Sequence, residues 1–136
     1  MLFRSDLGRL NLPYLRTVIA VPEQTIVQDR STVAKLVEAI CEGIQFYKNT
    51  ENKDESINVL AKYLRVPSDK KREIVEAGYE TYWPMTQIKP YPDPEGLRSL
   101  LATIAEADPK AKEADPSSFV DTSFIKTLDE RRFFKE

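Results

Sequence analysis

Carboxylate pairs are the residues of this chain whose type and spacing come closest to acid–base chemistry. Three pairs occur, each beside lysine or arginine on the polar side of a helical pattern: Asp54 with Glu55, Glu73 with Glu76, and Asp129 with Glu130. An acid–base pair needs burial to drive its two pKa values apart, and a solvated helix face does not provide it. We therefore interpret these carboxylates as solvated surface.

Nucleophilic and metal chemistry finds equally little support. The 136 residues contain no histidine, which excludes Ser-His-Asp triads, Cys-His pairs and histidine-ligated metals. The one cysteine, Cys41, falls among apolar residues and is predicted to be a small buried hydrophobe. The four glycines are too widely separated for a phosphate loop, and we interpret Gly43 and Gly78 as sites of close helix packing. The sequence predicts no enzyme, no metal site and no cofactor.

Aromatic residues are the more suggestive group. They surround a stretch with three prolines, residues 84–92, and include Tyr79, Tyr82, Trp83 and Tyr91, while Tyr14 stands farther upstream. Tyrosine and tryptophan combine apolar area with a polar tip, which suits ligand pockets, interfaces and ordinary packing of a loop. All three roles stay open. The candidates for ligand contact are Tyr14, Tyr82 and Trp83.

Composition and charge limit the function classes further. With 41% hydrophobic and 31% charged residues, the chain fits a single globular domain, residues 1–136. Its net charge of −2 provides no basic field for phosphate backbones, so nucleic-acid binding is not expected. The first residues lack the apolar core of a signal peptide, and the apolar run 18–21 is too short to cross a bilayer. As written, the chain is expected to be cytoplasmic.

One segment has the composition of a β-strand. Residues 14–21 are rich in β-branched and aromatic side chains, and residues 25–27 add a second short burst. Pro22 ends this strand or places it at a sheet edge. Because a strand leaves N–H and C=O groups unpaired along its edges, it needs a partner. We expect either a second copy of the chain or a hairpin formed by Ile26 and its neighbours.

The apolar periods after Ser31 indicate helices. The first is predicted over residues 32–47, with Asp29 or Ser31 as its N-cap. Its apolar residues recur at three- and four-residue spacings on one face: Val33, Leu36, Val37, Ile40, Ile44 and Tyr47. Lys48 suits the negative end of this helix. Asn52 and Glu55 resemble a capping box that opens the next helix.

Further helix signals follow toward the C-terminus. Ser68 is predicted to cap a helix that ends near Tyr82, and Asp93-Pro94 is a strong helix start. A polar linker then leads to a last short helix through Phe124, Ile125 and Leu128. The sequence thus predicts a loop and strand region at 1–30, a helical body at 31–107, and a linker with a C-terminal helix at 108–136.

Several segments, taken in order, resemble one family. They are residues 17–21 with the loop 22–30 and STVAKLVEAI at 31–40, INVLAKYL at 57–64 followed by Val66-Pro67, YPDPEGL at 91–97, and FVDTSFI at 119–125. Their order and spacing are similar to the C-terminal part of periplasmic substrate-binding proteins of the NMT1/THI5-like class. This class includes the nitrate-, sulfonate- and pyrimidine-binding components of ABC importers. The likeness covers about residues 10–128.

The resemblance implies a fold that is mainly α with a short β-strand or hairpin near the N-terminus, the C-terminal portion of a type 2 periplasmic-binding-protein α/β lobe. It implies non-covalent binding of a small organic or anionic solute, a periplasmic location for the family, and an ABC permease as partner. A complementing lobe would complete the cleft. The alternative is a free-standing helical interaction module that homodimerises through its unpaired strand.

Overall fold

Helices make up the regular secondary structure of the residues that the computed structural model describes, 17–67, 69–70 and 72–134. The α-helices are α1 (Glu23–Gln28), α2 (Arg30–Lys48), α3 (Lys53–Tyr63), α4 (Ala77–Tyr82), α5 (Pro94–Ile104) and α6 (Ser123–Glu130). Shorter turns are 3₁₀-helical at Thr50–Asn52, Pro109–Glu113 and Pro116–Phe119, and π-helical at Arg72–Glu76. Within this described part, no helix is long and apolar enough to span a membrane.

The predicted N-terminal strand or hairpin, and with it the α/β lobe, is wrong for the described residues, which contain no strand. Residues 17–22 have no regular secondary structure, and Ile26 lies in α1 instead of a second strand. Val18 is 57% exposed and Ile19 51%. β-branched residues favour a strand only where a pairing strand and a packing surface are present, and the described residues offer no strand to pair with. Residues 14–16 lie outside the described part.

The chain divides into two compact units, which we describe separately. The first, named the α2 unit, contains residues 24–90 and 124–134. The second, named the α5 unit, contains residues 17–23 and 91–123. The sequence-based division into a strand region, a helical body and a C-terminal linker stays a prediction.

Three Asp-Pro dipeptides start the helical turns of the α5 unit. Asp93, Asp108 and Asp115 each accept a hydrogen bond from the backbone N–H two residues later, at 3.0 to 3.1 Å. The proline after each aspartate takes the first helical position, where its fixed φ fits and its missing N–H costs nothing. Hydrogen bonds from Ser117, and then the charge of Arg98, hold the pKa of the Asp115 carboxyl below its usual value. The predicted start of α5 is confirmed.

Helices α2 and α3 of the α2 unit begin differently. Asp29 caps α2 by accepting from the N–H of Thr32 at 3.1 Å, as predicted, and hydrogen bonding by Thr32 lowers the pKa of the Asp29 carboxyl. The capping box predicted at Asn52 and Glu55 is wrong, because the Asn52 side chain makes no cap hydrogen bond. Its Nδ2 instead donates to the carbonyl oxygen of Phe46 at 3.2 Å. Asn52 thus supplies a hydrogen-bond donor to a carbonyl group near the C-terminal end of α2.

Two apolar clusters form the core of the α2 unit. The first joins α3, the π-helical turn and α4, and consists of Ile57, Ala61, Val75 and Tyr79. The second joins α2 to α6 and the residues after it, and consists of Cys41, Leu128 and Phe134. Cys41 is 1% exposed, which confirms the predicted buried hydrophobe. Burial, followed by the nearby charge of Glu38, raises the pKa of its thiol.

Gly43 and Gly78 do not mediate close helix packing in the described structure, so that interpretation is wrong. A Cβ added at either position would meet nothing within 4 Å. Glycine in a helix costs about 0.5–1 kcal/mol relative to alanine. Within the described chain, no packing contact explains that cost at either position.

Helices α3 and α6 end in the same left-handed motif, built on arginine where glycine is usual. Arg65 and Arg132 each have a φ of 54°. The N–H of the next residue, Val66 or Phe133, donates at 3.0 Å to the carbonyl five residues earlier, which closes a Schellman motif. Val66 packs against the first apolar cluster and Phe133 against the second. Each motif therefore anchors a helix end to the core.

Replacing Arg65 by glycine should stabilise the protein. The left-handed conformation costs an L-residue about 1–2 kcal/mol, and glycine avoids this cost. The greater freedom of glycine in the unfolded chain offsets part of the gain, so we expect the free energy of unfolding in urea to rise by about 0.5–1 kcal/mol. Arg65→Ala is the matched control, because it removes the same side chain and keeps Cβ. An equal gain in both variants would contradict the backbone explanation.

Candidate functional site

The predicted ligand-contact residues differ in their surroundings. Tyr14 lies outside the described residues. Tyr82, the last residue of α4, is 53% exposed. Trp83 follows it and is half-buried against the first apolar cluster. Of the two described candidates, Tyr82 is therefore accessible to a ligand, whereas Trp83 packs inside the protein.

Trp83 belongs to a group of side chains that joins the C-terminal ends of α2 and α4. We name this group the C-terminal junction, and its members are Tyr47, Lys48, Lys53, Tyr79, Glu80 and Trp83. Tyr47 and Lys48 are the last two residues of α2, and Lys53 begins α3. The other three come from α4 and the residue that caps it.

The two tyrosines of the junction exchange hydrogen bonds. Tyr47 Oη donates to the carbonyl oxygen of Tyr79 at 3.3 Å, and Tyr79 Oη donates to the carbonyl oxygen of Tyr47 at 3.2 Å. Their rings meet edge to face, with centroids 4.9 Å apart. Carbonyl groups in the last turn of a helix lack a partner within the helix, and Tyr47 lies in that turn of α2. The pair therefore supplies a missing partner and joins the two helices.

Lys48 brings a positive charge to the junction. Its Nζ donates to the carbonyl oxygen of Trp83 at 2.7 Å and lies 3.8 Å from the centroid of the Trp83 ring. Lys48 ends α2, as the sequence predicted, and Trp83 is the C-cap residue of α4. Because both helix C-termini carry partial negative charge, one ammonium group near the two ends stabilises both. The aromatic face adds a second favourable contact.

The electrostatics of the junction keep its phenols neutral. Lys53 pairs with the carboxylate of Glu80, which raises the pKa of Lys53, and its Nζ lies 5.7 Å from the centroid of the Tyr79 ring. Burial raises the pKa of Tyr47, with smaller contributions from Tyr79 and Glu80. Burial also raises the pKa of Tyr79, where the charge of Lys53 opposes it. At neutral pH both hydroxyls are therefore protonated and donate the hydrogen bonds described above.

Two buried polar atoms of the α2 unit have no hydrogen-bond partner among the described residues. They are Ser56 Oγ and Trp83 Nε1. An unpaired buried polar group costs about 1–3 kcal/mol, so these atoms weaken the packing they belong to. Because both are buried, neither can contact a solute at the surface of this structure.

Most carboxylates of the three sequence pairs lie at the surface. Four of their six side chains are exposed: Asp54, Glu55, Glu73 and Glu130. Asp129 is half-buried and pairs with Lys89, whose Nζ lies 2.8 Å from Oδ1. In the described part of the chain, no three side chains of histidine, cysteine, aspartate or glutamate come together in a way that could hold a metal ion. The four exposed positions agree with solvated surface, whereas Glu76 and Asp129 are half-buried.

Sequence reasoning placed Tyr47 and Lys48 at the end of α2 but missed their contacts with Tyr79 and Trp83. Tyr47 and Tyr79 are 32 positions apart, and a single sequence carries no periodic signal for such a contact. A local signal does exist. Lys48 in the last turn of α2 suits a negative helix end, and its side chain contacts the C-cap residue of α4.

Comparison with known proteins found no relative of this chain. No family model matches the chain, and no curated protein or solved structure is significantly similar to it. What the site can do follows from its own geometry. The junction holds two helix ends together and leaves the side chain of Tyr82 accessible beside them.

Loss of the Tyr79 hydroxyl should destabilise the protein more than loss of the Tyr47 hydroxyl. Tyr79→Phe removes the side-chain donor from a last-turn carbonyl of α2, whereas after Tyr47→Phe the Tyr79 carbonyl still accepts from the N–H of Trp83 at 2.8 Å. We expect losses of about 1–2 and about 0.5–1 kcal/mol, respectively, in urea unfolding. Tyr63→Phe is the control, since Tyr63 is 76% exposed and should change little. Equal losses at the two junction positions would contradict this asymmetry.

Alkaline pH should weaken the protein through the same two tyrosines. Their pKa values are raised above 10.0 in the folded state, so the unfolded chain releases these protons first as pH rises. Their contribution is therefore complete below pH 10.0 and is lost above it. The urea midpoint, measured from about pH 8 to about pH 11, should fall less in the double variant Tyr47→Phe/Tyr79→Phe than in the unmodified chain. An equal fall in both proteins would show that the pair does not control it.

Proposed function

We propose that this chain is the C-terminal, helical part of a solute-binding component of an ABC importer, and that it contributes to non-covalent capture of a small organic or anionic solute. The proposal rests on the resemblance of its segments to that class of proteins. It includes neither an α/β lobe nor an N-terminal strand, because the described residues form only helices and turns.

The observation that carries the proposal is that most of the resembling segments fall on helices or helix starts, while residues 17–21 form no regular element. Residues 31–40 lie in α2, residues 57–63 in α3, residues 91–97 form the capped start of α5, and residues 119–125 lead into α6. Two of these segments lie within helices, and the other two contain the starts of α5 and α6. Most of the resembling segments therefore belong to ordered helices, and the proposal itself rests on the resemblance of their sequences.

Tyr82 is the residue that we propose touches the solute. It is exposed, it combines an aromatic face with a hydroxyl, and Lys48 fixes the backbone next to it through the carbonyl of Trp83. Trp83 is then a positioning residue. Ligand pockets bury about 70–90% of a small ligand's surface, which one accessible ring cannot do. We therefore propose that other polypeptide completes the site and that an ABC permease receives the solute.

Calorimetry tests this function on two proteins. The first is the chain as given, and the second is the product of the whole open reading frame that contains it. Each is titrated with nitrate, taurine, an alkanesulfonate and a hydroxymethylpyrimidine. We expect stoichiometric binding of one of these by the second protein and none by the chain as given, because one aromatic side chain leaves a solute largely in water.

Variants of the binding protein test the role of Tyr82. Tyr82→Ala should raise the dissociation constant about tenfold, since buried aromatic contacts often dominate binding. Tyr63→Ala is the matched control, because Tyr63 is an exposed tyrosine on another helix of the same unit. If no solute of these classes binds either protein, the proposal is wrong. If binding occurs and both variants keep it, the function stands and the assignment of Tyr82 is wrong.

A further inference from the structure

We propose that one exposed face of α2 binds a second copy of this chain, helix against antiparallel helix. The residues of this face recur at spacings of four and three, all are exposed, and we name them the α2 seam: Thr32, Leu36, Ala39, Gly43 and Phe46. Leu36 is 43% exposed and Phe46 39%. Alternating spacings of four and three are those of a coiled-coil interface. The inference is independent of the proposed solute-binding function.

Small residues suit the α2 seam to a close helix approach. A Cβ added at Gly43 meets nothing within 4 Å, so the surface beside it is open. In an antiparallel pair, Leu36 of one copy can lie opposite Ala39 of the other, and Gly43 opposite Thr32. Leu36 then fills the space beside the small Ala39, and the small pair Gly43 and Thr32 lets the two backbones approach closely. Removing Leu36 and its copy from water provides the driving force.

Charges beside the α2 seam select this partner and this orientation. Lys35 and Glu42 are exposed and seven residues apart, which places them on the same flank of the seam. Among the described residues, neither forms an ion pair within the chain. In the antiparallel register given above, Lys35 of each copy faces Glu42 of the other. A two-fold axis makes the two ion pairs identical, so the surface is complementary to itself.

This interface differs from the strand-mediated dimer expected from the sequence. It uses a helix that the structure defines, and it requires no unpaired strand. It also leaves the buried side of α2 intact. Val33 and Cys41, at 7% and 1% exposure, stay in the core, and Glu38 keeps its contact with Arg131 at 3.4 Å. A folded monomer can therefore form the pair without rearrangement of its core.

Analytical ultracentrifugation of the full chain tests the proposal. We expect a reversible equilibrium between the 15.6 kDa monomer and a dimer of twice that mass, with a dissociation constant of about 10–100 μM because the seam is short. Lys35→Glu should raise this constant about tenfold, because it replaces two attractions by two repulsions. The double reversal Lys35→Glu/Glu42→Lys should restore it. Circular dichroism checks that each variant keeps its helix content.

Lys112→Glu is the matched control for charge. It makes the same charge change at an exposed position of the α5 unit and should leave the dissociation constant unchanged. A chain that stays monomeric up to millimolar concentration overturns the proposal, as does one whose α2 seam binds only a different polypeptide. A dimer that Lys35→Glu does not weaken, or that the double reversal does not restore, overturns the assigned interface.

Discussion

The α2 unit depends on how the C-terminal carbonyl groups of its helices find partners. Carbonyl groups in the last turn of a helix have no N–H donor within that helix. An unpaired polar group costs free energy once water is excluded. At the end of α2, Asn52 Nδ2 reaches the carbonyl of Phe46, and Tyr79 Oη reaches that of Tyr47. At the end of α4, Lys48 Nζ reaches the carbonyl of Trp83. Side chains from one element thus complete the backbone of another.

This arrangement places two negative helix ends near each other, and the chain compensates for it with one cation. Lys48 lies at the end of α2 and contacts the cap of α4, so its charge opposes the partial charges of both. The same contact fixes Trp83 against the core, and the neighbouring Tyr82 is left at the surface. The accessible aromatic residue of the proposed solute site is therefore a consequence of how the helix ends are satisfied.

Features that depend on neighbouring residues could be predicted from the sequence. Asp29 and Asp93 cap helices as expected, because a carboxylate can reach an N–H two or three residues away whatever the rest of the chain does. Features that depend on distant residues could not. The strand failed because β-branched residues pair only if another strand is present. Asn52 does precede α3, as predicted, but its side chain donates to a carbonyl of α2 and makes no cap hydrogen bond to α3.

The C-terminal residues also could not be predicted from local sequence, although here the structure is more ordered than the sequence suggested. The run 131–134 is too short to have a period, yet Phe134 is 7% exposed in the cluster with Cys41. Its position follows from Arg132, whose left-handed backbone turns the chain back after α6. A sequence reader expects glycine at such a turn and does not expect arginine. Within the candidate site, the sequence suggested both Tyr82 and Trp83 as ligand contacts. Only the fold shows that the ring of Tyr82 is exposed and that of Trp83 is packed.

Helix α2 carries apolar residues around more of its circumference than one neighbouring element can cover. Of the predicted inner face, Val33 is buried, but Leu36 and Ile40 stay 43% and 36% exposed, and the most buried residue of α2 is Cys41, which that face did not include. A helix that is apolar on two sides is stable in water only at the cost of exposed hydrophobic area, unless a second surface covers it. Contacts within the α2 unit bury one apolar side of α2. The other side combines Ala39 and an open Gly43 with reciprocal charges at Lys35 and Glu42, and this composition is the reason for proposing a helix partner there.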